Sequence, residues 1–441
     1  MNEQNRQERG QVLVILVIGV IGLLGFAALA IDGGLIMVER RAVQSGADAS
    51  SLSGGGAVIS TMQAEGRAFQ NWNCNSSWTN GADSNATNAG IARASTNNYT
   101  IDTDISDANG IKTECNTGVD NGVYVDKFFD VETQITNDID TAFAHFVTGA
   151  PVQTTNIAIA RVRPQGSFAF GHAIVALNPA DCQGNQNGAN FMGTAGVEVH
   201  GGGVLSYGCW AANGSGLTVT VDGGSNNYLG ETDFSPNNAN IPVITPHPTH
   251  TEITLPDFAA LVPEPDCSGL PSTGGTVGSG TINQGQFNRI QVNGGSTLIM
   301  NPGLYCISNG FSVNGGGIVT GTEVTIFMVG GDFGTAGNAH VFLTPPDSSP
   351  SPEPALPGML IFMPPSNVGQ VNMLGDSGSQ FQGTVFAPTS EIEVGGTASL
   401  AGFLSTQFIG WDVIVHGDVL MEIWFDDEQS YQYSPSIELL R

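Results

Sequence analysis

A five-residue phrase recurs from about residue 168 onward: an apolar residue, any residue, Val, a small or polar residue, then Gly. It stands as Val197-Glu-Val-His-Gly, Val219-Thr-Val-Asp-Gly, Ile290-Gln-Val-Asn-Gly, Phe311-Ser-Val-Asn-Gly, Ile392-Glu-Val-Gly-Gly and Val413-Ile-Val-His-Gly. Neighbouring copies lie 22, 21 and 21 residues apart. A strand alternates its side chains between two faces, so apolar-x-Val sends two residues inward and one to solvent. The Gly permits a sharp corner. Repeated at a fixed period, the phrase stacks strand upon strand into a parallel β-helix. A β-sandwich or jelly roll would also use many short strands, but the fixed period favours the coil. The longer gaps hold less regular rungs and two Pro-rich excursions, Pro242 to Pro265 and Pro345 to Pro357.

The second constraint is at the other end. Val12 to Ile31 is an unbroken run of uncharged, mostly apolar residues. As a helix it spans about 30 Å, the thickness of a bilayer's hydrocarbon core. Val12, Ile15, Leu24 and Ile31 mark it as a membrane anchor. Ala28-Leu29-Ala30 would also serve a signal peptidase, and Arg6 and Arg9 would supply its basic flank. The run exceeds the about 7–15 residues of a secretory core, and a helical pattern continues beyond Asp32 through Leu35, Val38, Ala42 and Ser45 to Ala49. Retention as an anchor is the favoured reading. Basic residues flank both ends, Arg6 and Arg9 against Arg40 and Arg41, so they do not orient the helix.

The order Arg9-Gly10, apolar run, Leu29-Ala30-Ile31-Asp32-Gly33-Gly34, Arg40-Arg41-Ala42-Val43-Gln44 and Ala47-Asp48-Ala49 resembles the N-terminal region of the TadE/TadG-like (Flp/Tad pilus-assembly) family. Family pseudopilins cut by a prepilin peptidase carry Glu five residues after the cut Gly. Here that residue is Ile15, which favours an uncut, TadG-like chain. The segment from Gly383 to Asp426, with Ala387-Pro388, Val394-Gly395 and Val415-Gly417, is similar to the β-helical domains of PilX- and TadG-related pilus proteins. The resemblance implies a part in a pilus assembly system, with pilin or assembly proteins as partners.

Six cysteines fall as three neighbour pairs: Cys74 and Cys115, Cys182 and Cys209, Cys267 and Cys306. Six thiols allow fifteen pairings, so sequence does not settle connectivity. No Cys-x-x-Cys or Cys/His cluster suggests zinc. An even count after a membrane segment points to disulfides in an oxidising compartment, which places the bulk of the chain outside the cytoplasmic membrane. The net charge of −28, with Lys112 and Lys127 the only lysines, repels polyanions and argues against nucleic-acid binding.

Between the two constraints, residues 60–166 read as a small α+β unit. Asn71 onward (NWNCNSSWTNGADSNATN) reads as loop, Gly122 to Ile135 as strand, and Asp138 to Val147 as a short helix with Asp138 as N-cap. Val152 to Val162 returns as strand.

Local signs of chemistry are weak. Arg289 is the sole Lys or Arg between residues 168 and 440, too few for a polysaccharide lyase. Asp222, Asp332, Asp376, Asp412 and Asp418 form no local pair beside a His or Arg. Asp102, Asp104, Ser106, Asp107 and Asn109-Gly110 make an oxygen-rich loop that misses the calcium-loop pattern and reads as Asx turns, calcium being the one ion left open. His247 and His250 read as solvated. Trp210, Trp411 and Trp424 read as packing rungs, with a carbohydrate platform as the alternative.

The expectation is a mainly β, non-enzymatic protein without cofactor. Residues 1–59 form the anchor helix and its extension, 60–166 an α+β domain, 167–427 a right-handed parallel β-helix, and 428–441 a tail. Its role is structural, in Tad/Flp-type pilus assembly at the cytoplasmic membrane. The rival is a surface adhesin or glycan-binding protein on a pilin-like anchor.

Overall fold

The computed structural model describes residues 4–69, 71–75, 77–105, 109–120, 125–144, 149–182, 187–234, 242–252, 258–347, 354–375, 379–396 and 404–440. The chain is mainly β and divides into two compact units. One comprises Met1–Val119, Val125–Gln165 and Ser434–Arg441; the other is built on Gly166–Tyr433.

The first unit is organised by helix α1, Gln4–Ala64, 61 residues and about 90 Å long. Its two halves obey different rules. From Leu13 to Val38 the large apolar side chains other than Ile36 are exposed, Ile15, Leu24 and Ile31 among them. Val12 lies in the helix, with its side chain outside the described residues. In the second half Val43, Ala47, Ser50, Ser51, Val58 and Met62 are fully buried. The helical continuation expected beyond Asp32 is present, but its buried face differs: Leu35 and Val38 stay exposed, and burial of apolar side chains starts at Val43.

Against that buried face pack helix α2, Ser77–Thr96, and strands β1, Gly110–Asp120, β2, Val125–Ile139, and β3, Val152–Arg163. The Asn71 segment expected as loop thus turns at Ser77 into a 20-residue helix that runs on to Thr96. Its Asn, Ser, Thr and Gly are poor helix formers. What holds it is a buried stripe at every fourth residue, Trp78, Ala82, Ala86, Gly90 and Ala94. Close approach demands the small residues. A Cβ on Gly54 of α1 would sit 2.7 Å from Val131 Cγ1 and 3.1 Å from the Ala86 carbonyl oxygen.

A second correction concerns Asp138. It pairs with Gln153 inside the antiparallel β2–β3 ladder, which runs to Ile139 and Val152. The alternate burial of Val131, Thr133, Ile135 and Ile139 carries the strand through the expected cap. Of the expected helix, residues 145–147 lie outside the described residues. The fourth strand of this sheet is the C-terminal segment Ser436–Leu440, antiparallel to β3. Arg163 ties three strands together, binding Asp126 of β2 at 2.8 Å and Glu438 of the terminal strand at 3.0 Å. Arg161 holds Asp130 in a bidentate pair at 2.9 and 2.8 Å. The Cys74–Cys115 disulfide joins the segment before α2 to β1.

The second unit is a parallel β-solenoid of about nine turns. Three ladders run its length. On the first face, Ile290 pairs with Phe311, Phe311 with Phe333, Phe333 with Val371, Val371 with Ile392, and Ile392 with Val413. Four copies of the repeated phrase stand on this ladder. The other two, at Val197 and Val219, pair with each other on the second face. The same phrase therefore marks corners on two faces.

Stack order departs from chain order. Val413, near the end of the domain, pairs with Ala189, near its start, and Ala189 pairs with Trp210. The other faces agree: Phe408 pairs with Ile174, and Met421 with Val197. The chain thus enters in the middle of the stack and builds outward to a terminal rung at Val243–Thr245 and Thr249–His250. It then crosses to the opposite end at Ser272–Val277 and returns rung by rung to close on its own first turn. Its two ends meet, Gly166–Ser167 pairing antiparallel with Gln432–Tyr433.

The third face explains how the crossing is held. Its strands Gly303–Ile307, Val324–Met328, Met359–Phe362 and His172–Ala176 are buried on both sides. Their outward row, Cys306, Phe327, Phe362, Phe386, Ile409, Val175 and Leu205, is in register from rung to rung. Phe168, Phe258, Val262 and Tyr431 cover that row. Phe258 opens the four-residue helix α3, Phe258–Leu261, on the crossing segment. Cys267–Cys306 fastens that segment to the face, and Cys182–Cys209 links two neighbouring rungs.

Candidate functional site

In the first unit the feature with most consequence is Asp32, directly after the uncharged run of α1. Its side chain is buried, 5% exposed. The carboxylate accepts hydrogen bonds from the backbone N–H groups of Ala142 at 2.7 Å and Phe143 at 3.0 Å, and from that of Ala144. The cap of this segment is thus Asp32, reaching from α1. Further along, Glu39 accepts from Asn137 at 2.7 Å, and the Arg40 carbonyl accepts from Asn156 at 2.8 Å. These bonds fix the base of the apolar helix to the sheet. By length and composition α1 can cross a membrane.

In the solenoid the second face gathers a mixed cluster. Glu422 stands beside Glu198 in the Met421–Trp424 strand, and Trp424 beside His200. On the next rung Asp222 stands beside His200. One ligand atom from each of Glu198, His200 and Glu422 lies within 4.8 Å of the others. His200 Nε2 is 3.3 Å from Glu198 Oε2, and Nδ1 is 4.0 Å from Asp222 Oδ2. Nε2 is sealed from solvent and, among the described residues, has no partner in hydrogen-bond geometry. The Trp424 ring stacks on the imidazole at 4.2 Å. Two carboxylates and an imidazole are a ligand set for a divalent transition metal.

A second acidic row runs along the first face. Glu391 and Asp412 are register neighbours, and Glu393 accepts from His416 Nε2 at 2.8 Å. Burial, then the charges of Asp412 and Glu393, push the Glu391 carboxyl above its ordinary value. Burial does the same for Asp412, opposed by hydrogen bonds from Gly188 N–H and Asn178. Those donors make Asp412 a structural acceptor for the turn at Gly188.

The remaining expected residues are dispersed. Asp222 joins the His200 cluster, Asp332 accepts from the Gln370 N–H, Asp418 is exposed, and Asp376 lies outside the described residues. Arg289 donates to the Asn309 carbonyl. Of the calcium-type loop, Ser106 and Asp107 lie outside the described residues, and Asn109 accepts from the Thr136 N–H. Trp210 is buried against Phe191, whereas Trp411 and Trp424 are 39% and 46% exposed. His250 Nε2 meets the Leu229 carbonyl at 3.1 Å, and His247 packs on Phe234. Glu198, His200 and Glu422 escaped sequence reasoning because they come from opposite ends of the domain. The one available signal was the Glu and His set within the phrase at Val197.

An apolar helix long enough to cross a membrane, rooted in an α+β unit and followed by a β-solenoid, defines the architecture. Residues 10–58 match the family model described as "Putative Flp pilus-assembly TadE/G-like". The match covers α1 from before the apolar run to the buried Val58 and includes Asp32. The N-terminal region is therefore TadE/G-like. No curated protein and no solved structure matches the chain.

Proposed function

We propose that this protein is a membrane-anchored, extracytoplasmic structural component of a Tad/Flp-type pilus assembly system, acting through contact with pilin or assembly proteins rather than through catalysis. One observation carries the reading: the TadE/G-like segment is a single helix whose first half exposes an apolar surface and whose second half is the core of a folded unit. Such a helix can lie in a bilayer or pack against similar helices there. Disulfides favour an oxidising compartment for both units.

The test is fractionation and topology mapping of the full-length chain in a host that builds such pili. The expected result is an integral membrane protein with its second unit accessible to protease from outside the cytoplasmic membrane. Cross-linking from positions in residues 13–31 should capture pilin-like helices. A soluble chain beginning near Ile31 would overturn the anchor. Unchanged pilus assembly on deletion would overturn the structural role.

A further inference from the structure

We propose that Glu198, His200 and Glu422 bind a divalent transition-metal ion of the zinc type, which staples the closing rung of the solenoid to its first. The geometry is that of a site needing one small adjustment. Ligand distances of about 2.0–2.2 Å give a tetrahedral edge of about 3.4 Å. The 3.3 Å between His200 Nε2 and Glu198 Oε2 matches such an edge. Glu422 lies within 4.8 Å of both, and a rotation about its flexible side chain closes the remaining two edges.

Three further observations point to an ion. Nε2 is buried and makes no hydrogen bond with the described residues, a cost that coordination removes. Trp424 holds the imidazole plane by stacking. Asp222 lies 4.0 Å from Nδ1, outside hydrogen-bond reach but on the side where an outer carboxylate would close in on a metal-bound imidazole. The imidazole selects against calcium and magnesium, which prefer all-oxygen shells. With three protein ligands, water completes the coordination.

The placement has a structural meaning. Glu198 and His200 belong to the first turns, and Glu422 to the last strand laid on them. An ion held by all three cross-links the two halves of the stack where the chain closes on itself.

The experiment uses the full-length protein in detergent, stripped with chelator and titrated with ZnCl2 by calorimetry, with thermal melts in parallel. The expected result is one saturable site per chain and a Zn2+-dependent rise in Tm. Removing an outer-shell partner of a metal typically costs roughly 10- to 100-fold in affinity. Glu198→Gln and Glu422→Gln, which remove ligands, should lose at least that much, while Asp418→Asn binds as wild type. Two ligand variants on different strands keep the test open should one of them fold poorly, which the metal-free melt reveals. No saturable binding in the wild type would overturn the proposal. So would full affinity in Glu198→Gln and Glu422→Gln, or Ca2+ binding as tightly as Zn2+.

Discussion

His172 shows how much a single side chain can couple this fold to pH. The imidazole is fully buried, with Nδ1 3.0 Å from the Ala169 carbonyl and Nε2 3.0 Å from Ser225 Oγ. Burial pushes its pKa down from 6.5 to about 4. Between those values the unfolded chain holds a proton that the folded chain refuses. Stability from this group is therefore intact above about pH 6.5 and falls as pH drops towards 4, by on the order of 3 kcal/mol. Denaturation midpoints at pH 7 and 4.5 should show that loss, and His172→Gln should reduce it. Asp32 makes a different prediction. A carboxylate receiving backbone N–H bonds contributes about 1.5–3 kcal/mol per charged bond. Asp32→Ala should lower the midpoint of the first unit and increase hydrogen exchange at residues 142–144, with exchange in the solenoid unchanged.

Elements in this chain form for reasons of unequal visibility. The solenoid strands were legible because apolar-x-Val-x-Gly carries both the twofold alternation and the corner. The ladder assignment was hidden, since one phrase serves two faces, and no local pattern tells Val197 from Ile290. Helix α2 was hidden for the opposite reason: its residues disfavour a helix, and tertiary contact with α1 and β2 organises Trp78, Ala82 and Ala86 into a face. That contact yields a prediction. Gly54→Val should overpack against Val131 and the Ala86 carbonyl and destabilise the first unit by about 1–3 kcal/mol, read by denaturant midpoint. The crossing segment yields another. Replacing Cys267 and Cys306 by Ser opens a loop with a separation of 39 residues. In the chain-entropy view this costs about 4 kcal/mol, and exchange protection should fall along 258–270 before the rungs melt. The metal cluster was illegible for want of stack order, because Glu422 and Glu198 become neighbours only when the last strand lies on the first turn.

On the scale of the whole molecule, the chain path makes the solenoid an insertion between β3 and the strand Ser436–Leu440, which lies beside β3. The segment expected as a tail is thus a structural strand. Deleting residues 434–441 should destabilise the first unit, because Arg163 loses Glu438 and the sheet loses an edge, while the solenoid keeps its melting transition. Differential scanning calorimetry of the truncated chain should show one transition lowered and the other unmoved.

The closing of the last rung on the first also governs when this protein can mature during synthesis. Most repeat proteins can begin to consolidate as soon as neighbouring repeats emerge, because each contacts only the next. Here the turns at 172–228 have one bare apolar end until residues 404–424 arrive, and the first sheet has an open edge until the final strand appears. A nascent or prematurely ended chain therefore presents apolar surface and an unpaired strand edge together, features that invite aggregation and chaperone capture. Neither fold closes before residues 404–440 have been made, so a chain stalled short of them differs at its surface from one that has passed them.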